Sequence, residues 1–213
     1  MGSVIWPSLQ RSLVAIIRGI RNDEVEPVLE ALITEGFEVI EIPLNSPNPW
    51  ASIEKAVKLF GDKVLIGAGT VLTTADAQQL ADIGGRIMVS PNTDADVISH
   101  ASSCGLITMP GCYTASEALL AIRSGASALK FFPAGSLGAS GIAAIKTILP
   151  ENAVIGAVGG VSDQNFSDYA RVGIRTFGIG SSLYRPGDSA ETVRAKARLT
   201  ITAYDETFGD VHG

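Results

Sequence analysis

The chain has 213 residues, 46% apolar and 18% charged, with 16 Lys and Arg against 22 Asp and Glu for a net charge of -6. That length suits one well-filled core and is short for two, so residues 1–213 are expected to form a single domain. The acidic balance excludes a general positive field for nucleic acid or anionic lipid, the apolar content excludes disorder, and every apolar run is interrupted well before bilayer-spanning length, so no membrane is expected as a partner.

Short β-rich apolar runs predict strands at 13–17, 39–44, 64–66, 87–89, 106–109, 129–132, 154–158 and 175–179. Amphipathic helical patterns lie between them, with start signals at Asn22, Ser46-Pro47, Thr73, Asn92 to Asp94, Thr114 with Glu117 as a capping box, and Ser162-Asp163; the last stretch, 190–208, predicts one closing helix. Strand and helix alternate throughout. The spacing, about 27 residues per βα unit, predicts a (β/α)8 TIM barrel in the α/β class. An open doubly wound sheet uses the same unit, but Gly67-Ala68-Gly69 is followed by Leu72 where a dinucleotide fingerprint needs its third Gly.

Two cysteines, Cys104 and Cys112, cannot build a disulfide framework for a chain of this size, and the start Met1-Gly2-Ser3-Val4-Ile5-Trp6-Pro7 has neither a basic n-region nor an apolar h-region. A reducing cytoplasm is the expected location. His100 and His212 leave almost no material for a His-rich metal site or a Ser-His-Asp triad, so no metal is expected. Cys112 follows Pro110-Gly111 at a strand end with no His base beside it, which favours a buried structural thiol.

A barrel gathers its functional groups where strands end, and two ionisable residues stand inside apolar strands there. Lys55, Lys58, Lys146 and Lys196 fall on helical patterns and Lys63 follows a turn, which leaves Lys130 alone in Ala128-Leu129-Lys130-Phe131-Phe132. Alternation turns Lys130 away from Leu129 and Phe131, toward the barrel interior, where desolvation lowers an ammonium pKa and frees a nucleophilic amine. Glu41, in Val39-Ile40-Glu41-Ile42-Pro43-Leu44, faces the same interior. Position alone leaves two readings open for the pair: imine chemistry with proton exchange, or a structural ion pair.

Arg18, at the end of the first strand, has the donor geometry for a carboxylate, and Thr70 is a weaker candidate beside it. The loops Gly159-Gly160 and Gly180-Ser181 follow the last two strands, where barrels bind phosphate through backbone amides. A lysine, a carboxyl and two such loops suggest imine chemistry on a phosphorylated keto compound. The competing classes are a sugar-phosphate isomerase or epimerase, which needs a second base, a metal-dependent aldolase, which needs His and carboxylate ligands, and a non-catalytic sugar-phosphate sensor.

The segments Val14-Ala15-Ile16-Ile17-Arg18-Gly19, Glu41-Ile42-Pro43-Leu44-Asn45-Ser46-Pro47, Ile66-Gly67-Ala68-Gly69-Thr70-Val71, Ser90-Pro91-Asn92, Met109-Pro110-Gly111, Leu129-Lys130-Phe131-Phe132-Pro133-Ala134 and Ala157-Val158-Gly159-Gly160-Val161 together resemble the class I aldolases that cleave 2-keto-3-deoxy-6-phospho sugar acids. The resemblance runs from about Leu13 to Tyr184 in matching order. It implies a TIM barrel, commonly a homotrimer, that uses no cofactor. It also implies Lys130 as the Schiff-base lysine and Glu41 as the general acid and base. By the same matching, Arg18 and Thr70 hold the carboxylate and keto end, Phe132 and Pro91 wall the pyruvyl portion, and Gly159, Gly160, Gly180 and Ser181 cradle the phosphate.

The family has gluconate-type and galactonate-type branches, whose substrates are C4 epimers. The gluconate pattern carries Arg four residues after the acid Glu and Thr immediately before the Gly-Gly; this chain has Asn45 and Val158, as the galactonate branch does. Val in place of Thr removes a hydroxyl while keeping nearly the same shape, so the resemblance implies preference for the galactonate epimer. Dual specificity stays open at this point.

Overall fold

β-branched residues that alternate between two apolar environments form a single all-parallel sheet. The computed structural model describes residues 4–209. Its strands are β1 (Leu13–Ile16), β2 (Val39–Pro43), β3 (Leu65–Gly69), β4 (Ile87–Val89), β5 (Ile107–Met109), β6 (Gly111–Cys112), β7 (Leu129–Phe131), β8 (Ile155–Val158) and β9 (Thr176–Ile179). Their spatial order is β5-β4-β3-β2-β1-β9-β8-β7-β6. The helices are α1 (Val25–Thr34), α2 (Pro49–Phe60), α3 (Thr74–Asp82), α4 (Ala95–Ser103), α5 (Ala115–Arg123), α6 (Ala134–Lys146), α7 (Phe166–Ala170) and α8 (Ala190–Phe208).

The ninth strand is a division of the expected fifth. β5 pairs with β4 and β6 with β7, and between them stands Pro110, which has no N–H for a ladder. The carbonyls carry the closure: Thr108 accepts from Ala128 N at 3.0 Å, Pro110 from Lys130 N at 2.9 Å and Cys112 from Phe132 N at 3.1 Å. These bonds join the two ends of the strand order, so the architecture is a (β/α)8 TIM barrel.

Alternation sorts the core into two shells. Ala15, Ile17, Ile40, Ile42, Leu129 and Phe131 point outward and pack under the helices. Val14, Ile16, Val39, Leu65, Ile87, Ile107, Met109 and Val158 fill the inside, with Val4, Trp6, Leu9 and Val154 packed against them, while Trp50 joins the outer shell.

Helix starts follow the expected signals at Thr73, Asp94 and Thr114, whose side chains accept from first-turn amides, Thr114 within a full capping box. Three others differ. α1 begins after Glu24, α2 after Asn48 and α7 after Asn165. The hydroxyl of Ser46 instead accepts from Gly19 N at 2.9 Å, tying the turn after β1 to the turn after β2, and Ser162 N donates to Asn165 Oδ1 at 3.0 Å in a turn that precedes α7.

The closing helix α8 is held by aromatic packing. Phe177 in β9 lies 4.6 Å from Phe166 and 6.3 Å from Tyr204, ring centre to ring centre, and the Tyr204 hydroxyl donates to Arg175 O at 3.0 Å. Arg11 adds a two-bond ion pair to Asp205 at 2.6 and 2.7 Å. Phe177→Ala leaves a void at the centre of this cluster and is expected to cost about 3–5 kcal/mol. A thermal melt checks it, and an unchanged Tm would contradict the role given to the cluster.

Candidate active site

Strand alternation turns Lys130 and Glu41 toward the inner wall of the barrel, with Ile16 at one of the four positions paired with them in register and glycine at the other three. Lys130 stands opposite Gly111 in β6 and Gly156 in β8; Glu41 stands opposite Gly67 in β3. A Cβ built on Gly69 would lie 2.0 Å from Glu41 Oε2, so the carboxyl occupies the space that a side chain at residue 69 would need. Lys130 is 5% exposed and Glu41 1%.

Both groups are shifted toward neutrality. Burial lowers the Lys130 pKa, with the Arg18 charge in the same direction and Glu41 opposing. Burial pushes the Glu41 carboxyl up to about 7, against the pull of Lys130 and Arg18. Glu41 Oε2 is fully enclosed and makes no hydrogen bond within the protein. The Lys130 ammonium lies 4.8 Å from the centre of the Phe132 ring, whose face partly replaces lost hydration. The result is an amine shifted toward its neutral form, coupled electrostatically to a carboxyl that exchanges a proton near neutral pH.

A polar trio from three successive strand ends lies nearby. Arg18 Nη1 donates to Asn45 Oδ1 and, at 3.5 Å, to Thr70 Oγ1. Thr70 is held at φ 56, a left-handed conformation that is strained for a residue with a branched Cβ. Across the barrel, Gly159 and Gly160 both have φ near 80, and Gly160 packs so tightly on Gly135 that a Cβ would lie 3.1 Å from its Cα. Glycine adopts that φ without strain and allows the approach without a shift of Gly135.

Every residue expected to bind substrate lines one cavity of about 660 Å³ together with Lys130. Glu41 is enclosed behind that wall. The lining also includes Ile16, Gly19, Val161, Gly178, Tyr184, Arg185 and Pro186, which a reading of strand ends alone passes over. A second cavity of about 260 Å³, beside Trp6 and Val154, has no ionisable side chain in its wall. Cys112 is buried and its thiol is pushed up to about 12, so it stays protonated. His100 belongs to α4 and pairs with Gln78 at 3.1 Å, while His212 lies outside the described residues. Among the described residues no group of three or more His, Cys, Asp or Glu is placed to hold a metal ion, and no helix is long and apolar enough to cross a membrane.

Residues 8–195 match the family model described as KDPG and KHG aldolase. A Rhizobium meliloti (strain 1021) protein named "Probable 2-dehydro-3-deoxy-6-phosphogalactonate aldolase" is 56% identical over 209 residues, covering 98% of this chain and 99% of that one. The Escherichia coli (strain K12) 2-dehydro-3-deoxy-6-phosphogalactonate aldolase is 43% identical over 194 residues, covering 91% and 95%. The solved structure titled "Native KDPGal structure" superposes with a TM-score of 0.93 at 42% identity, covering 95% of this chain and 98% of that one.

The Glu41 carboxyl carries a stability consequence with a definite sign. Its pKa rises from the ordinary 4.5 to about 7 in the fold, so the folded state holds the proton more tightly. Stability therefore falls as pH rises from 4.5 to about 7, and the full penalty is present above that window. Glu41→Gln, which mimics the protonated acid, is expected to gain stability over the parent chain at pH 8 and little at pH 4, as read by denaturant unfolding. An equal gain at both pH values would contradict the buried, shifted carboxyl.

Proposed function

The chain belongs to the KDPG and KHG aldolase family, and on that premise we propose that it cleaves 2-dehydro-3-deoxy-6-phosphogalactonate to pyruvate and glyceraldehyde 3-phosphate through an imine on Lys130. The observation that carries this reading is the enclosed pair itself, both members shifted toward neutrality: an amine in the wall of one cavity, together with a guanidinium group and two glycine-rich loops, and a carboxyl buried behind that wall.

The free amine of Lys130 adds to the C2 carbonyl of the substrate, and Glu41 supplies the proton that lets water leave the carbinolamine. The resulting iminium is an electron sink. Glu41, now a carboxylate, takes the proton of the C4 hydroxyl; the C3–C4 bond breaks, its electron pair moves to C3 as an enamine, and glyceraldehyde 3-phosphate departs. Glu41 returns the proton to C3, and water hydrolyses the imine to pyruvate. Every proton and electron pair in this sequence is carried by Lys130, Glu41, water and the substrate. Arg18 binds the C1 carboxylate with Thr70 beside the keto group, Phe132 and Pro91 flank the pyruvyl portion, and Gly159, Gly160, Gly180 and Ser181 receive the phosphate.

The choice of epimer rests on Asn45 and Val158. Asn45 is neutral and accepts from Arg18, so the guanidinium stays available to a carboxylate; an Arg at residue 45 would set two like charges together. Val158 presents methyl groups to the cavity and offers no donor to a C4 hydroxyl. An isomerase or epimerase reading lacks support, because the cavity wall contains no Asp, Glu or His to act as the second base. We place the reaction in the cytoplasm, in agreement with the free thiols of Cys104 and Cys112. The working assembly we propose is a homotrimer of single-domain chains.

The deciding experiment compares kcat/KM for pyruvate release from the galactonate and gluconate epimers, with EDTA present. The galactonate epimer is expected to be preferred by about tenfold or more, the worth of roughly one hydrogen bond. Equal values would replace strict selection with dual specificity, and release from neither would overturn the aldolase reading.

A further inference from the structure

Arg18, Lys130 and Arg185 are the cations of the cavity wall, and the reaction sequence above employs only the first two. Arg185 lies in the loop between β9 and α8, on the same turn as Gly180 and Ser181. The chain on both sides of it is pinned. Tyr184 N donates to Gly180 O at 3.0 Å, and the Tyr184 hydroxyl donates to Glu24 Oε2 at 3.3 Å. Pro186 packs against Gly19 so closely that a Cβ there would lie 2.6 Å from Pro186 Cγ.

Arg185 itself is anchored at two points that leave its fork free. Its backbone N donates to Asp188 Oδ2 at 2.9 Å, and its Nε donates to Ser181 O at 3.2 Å. Asp188 is in turn paired with Lys196 at 2.6 Å, so its charge is already shared with another cation. The two terminal amino groups of Arg185 have no hydrogen-bond partner among the described residues. A guanidinium whose inner nitrogen is fixed and whose outer nitrogens are free has the geometry for two-point binding of a phosphate.

We propose that Arg185 is the cationic ligand of the terminal phosphate and that it selects phosphorylated over unphosphorylated aldehyde partners. The inference rests on the aldolase reading and extends it. Backbone amides at Gly159, Gly160, Gly180 and Ser181 supply dipoles alone, whereas a dianionic phosphate entering a site partly closed from water needs a compensating charge. The Lys130 and Arg18 charges serve the opposite, carboxylate-bearing end of the substrate.

The test is the condensation direction, with pyruvate and either glyceraldehyde 3-phosphate or unphosphorylated glyceraldehyde. In Arg185→Ala the ratio of kcat/KM for the phosphorylated over the plain aldehyde is expected to fall about tenfold to a hundredfold, the range for a lost hydrogen bond to a charged group. The loss should lie in the KM for glyceraldehyde 3-phosphate and leave the KM for pyruvate in place. Arg185→Lys, which keeps the charge without the fork, is expected to fall between the two. A ratio unchanged in Arg185→Ala, or a loss equal for both aldehydes, would overturn the assignment while leaving the aldolase reading intact. A parent chain that condenses pyruvate with neither aldehyde would overturn both.

Discussion

An ammonium and a carboxyl enclosed on the inner face of a closed barrel each give up most of their hydration, at a cost on the order of several kcal/mol per charge. The ring of Phe132 returns only about 0.5–2 kcal/mol of that to Lys130, and no hydrogen bond compensates Glu41 Oε2. The imbalance shifts the lysine toward its neutral amine and the glutamate toward its neutral acid. Reactivity is therefore a direct product of burial: the same exclusion of water that makes the pair unfavourable for stability makes the amine nucleophilic and the carboxyl able to exchange a proton near neutral pH.

The rest of the structure maintains that condition. Gly69 leaves the space that the Glu41 carboxyl fills, while glycines at 67, 111 and 156 admit the close approach of Ile87 O, Pro91 O and the Met109 methyl, so the missing side chains are as specific as any contact. Closure through the carbonyls of Thr108, Pro110 and Cys112 brings Lys130 onto the same inner wall as Glu41 even though the fifth strand is broken. α8, clamped by Phe177 and Tyr204, holds the far side of the barrel, and the loop that precedes it reaches back to Gly19 beside Arg18. The first and last strand ends are thereby joined into one rim.

Much of this was legible in the residues, and the reasons are local. A charge that interrupts an alternating apolar strand is conspicuous, which is why Lys130 and Glu41 stand out, and their inward direction follows from period two. Helix starts were readable where one residue both ends the loop and caps the turn, as at Thr73, Asp94 and Thr114. They were not readable at Ser46, because its hydroxyl is taken by Gly19 N, a partner distant in sequence. Arg185 carried no comparable signal, since an arginine between Tyr184 and Pro186 in an exposed turn is ordinary until the fold brings that turn over the cavity. The break at Pro110 was hidden for a similar reason: the residue reads as the end of a strand, and only the pairing of β6 with β7 shows the strand resuming.

The central claim is that Lys130 is the nucleophile, and borohydride reduction in the presence of pyruvate tests it most directly. Reduction traps an imine as a stable amine, and digestion followed by mass spectrometry locates it. The expected result is a single pyruvate-derived adduct on Lys130, reduced in yield when Glu41 is replaced by Gln. Absence of any adduct, or an adduct on another lysine such as Lys63 or Lys146, would contradict the account.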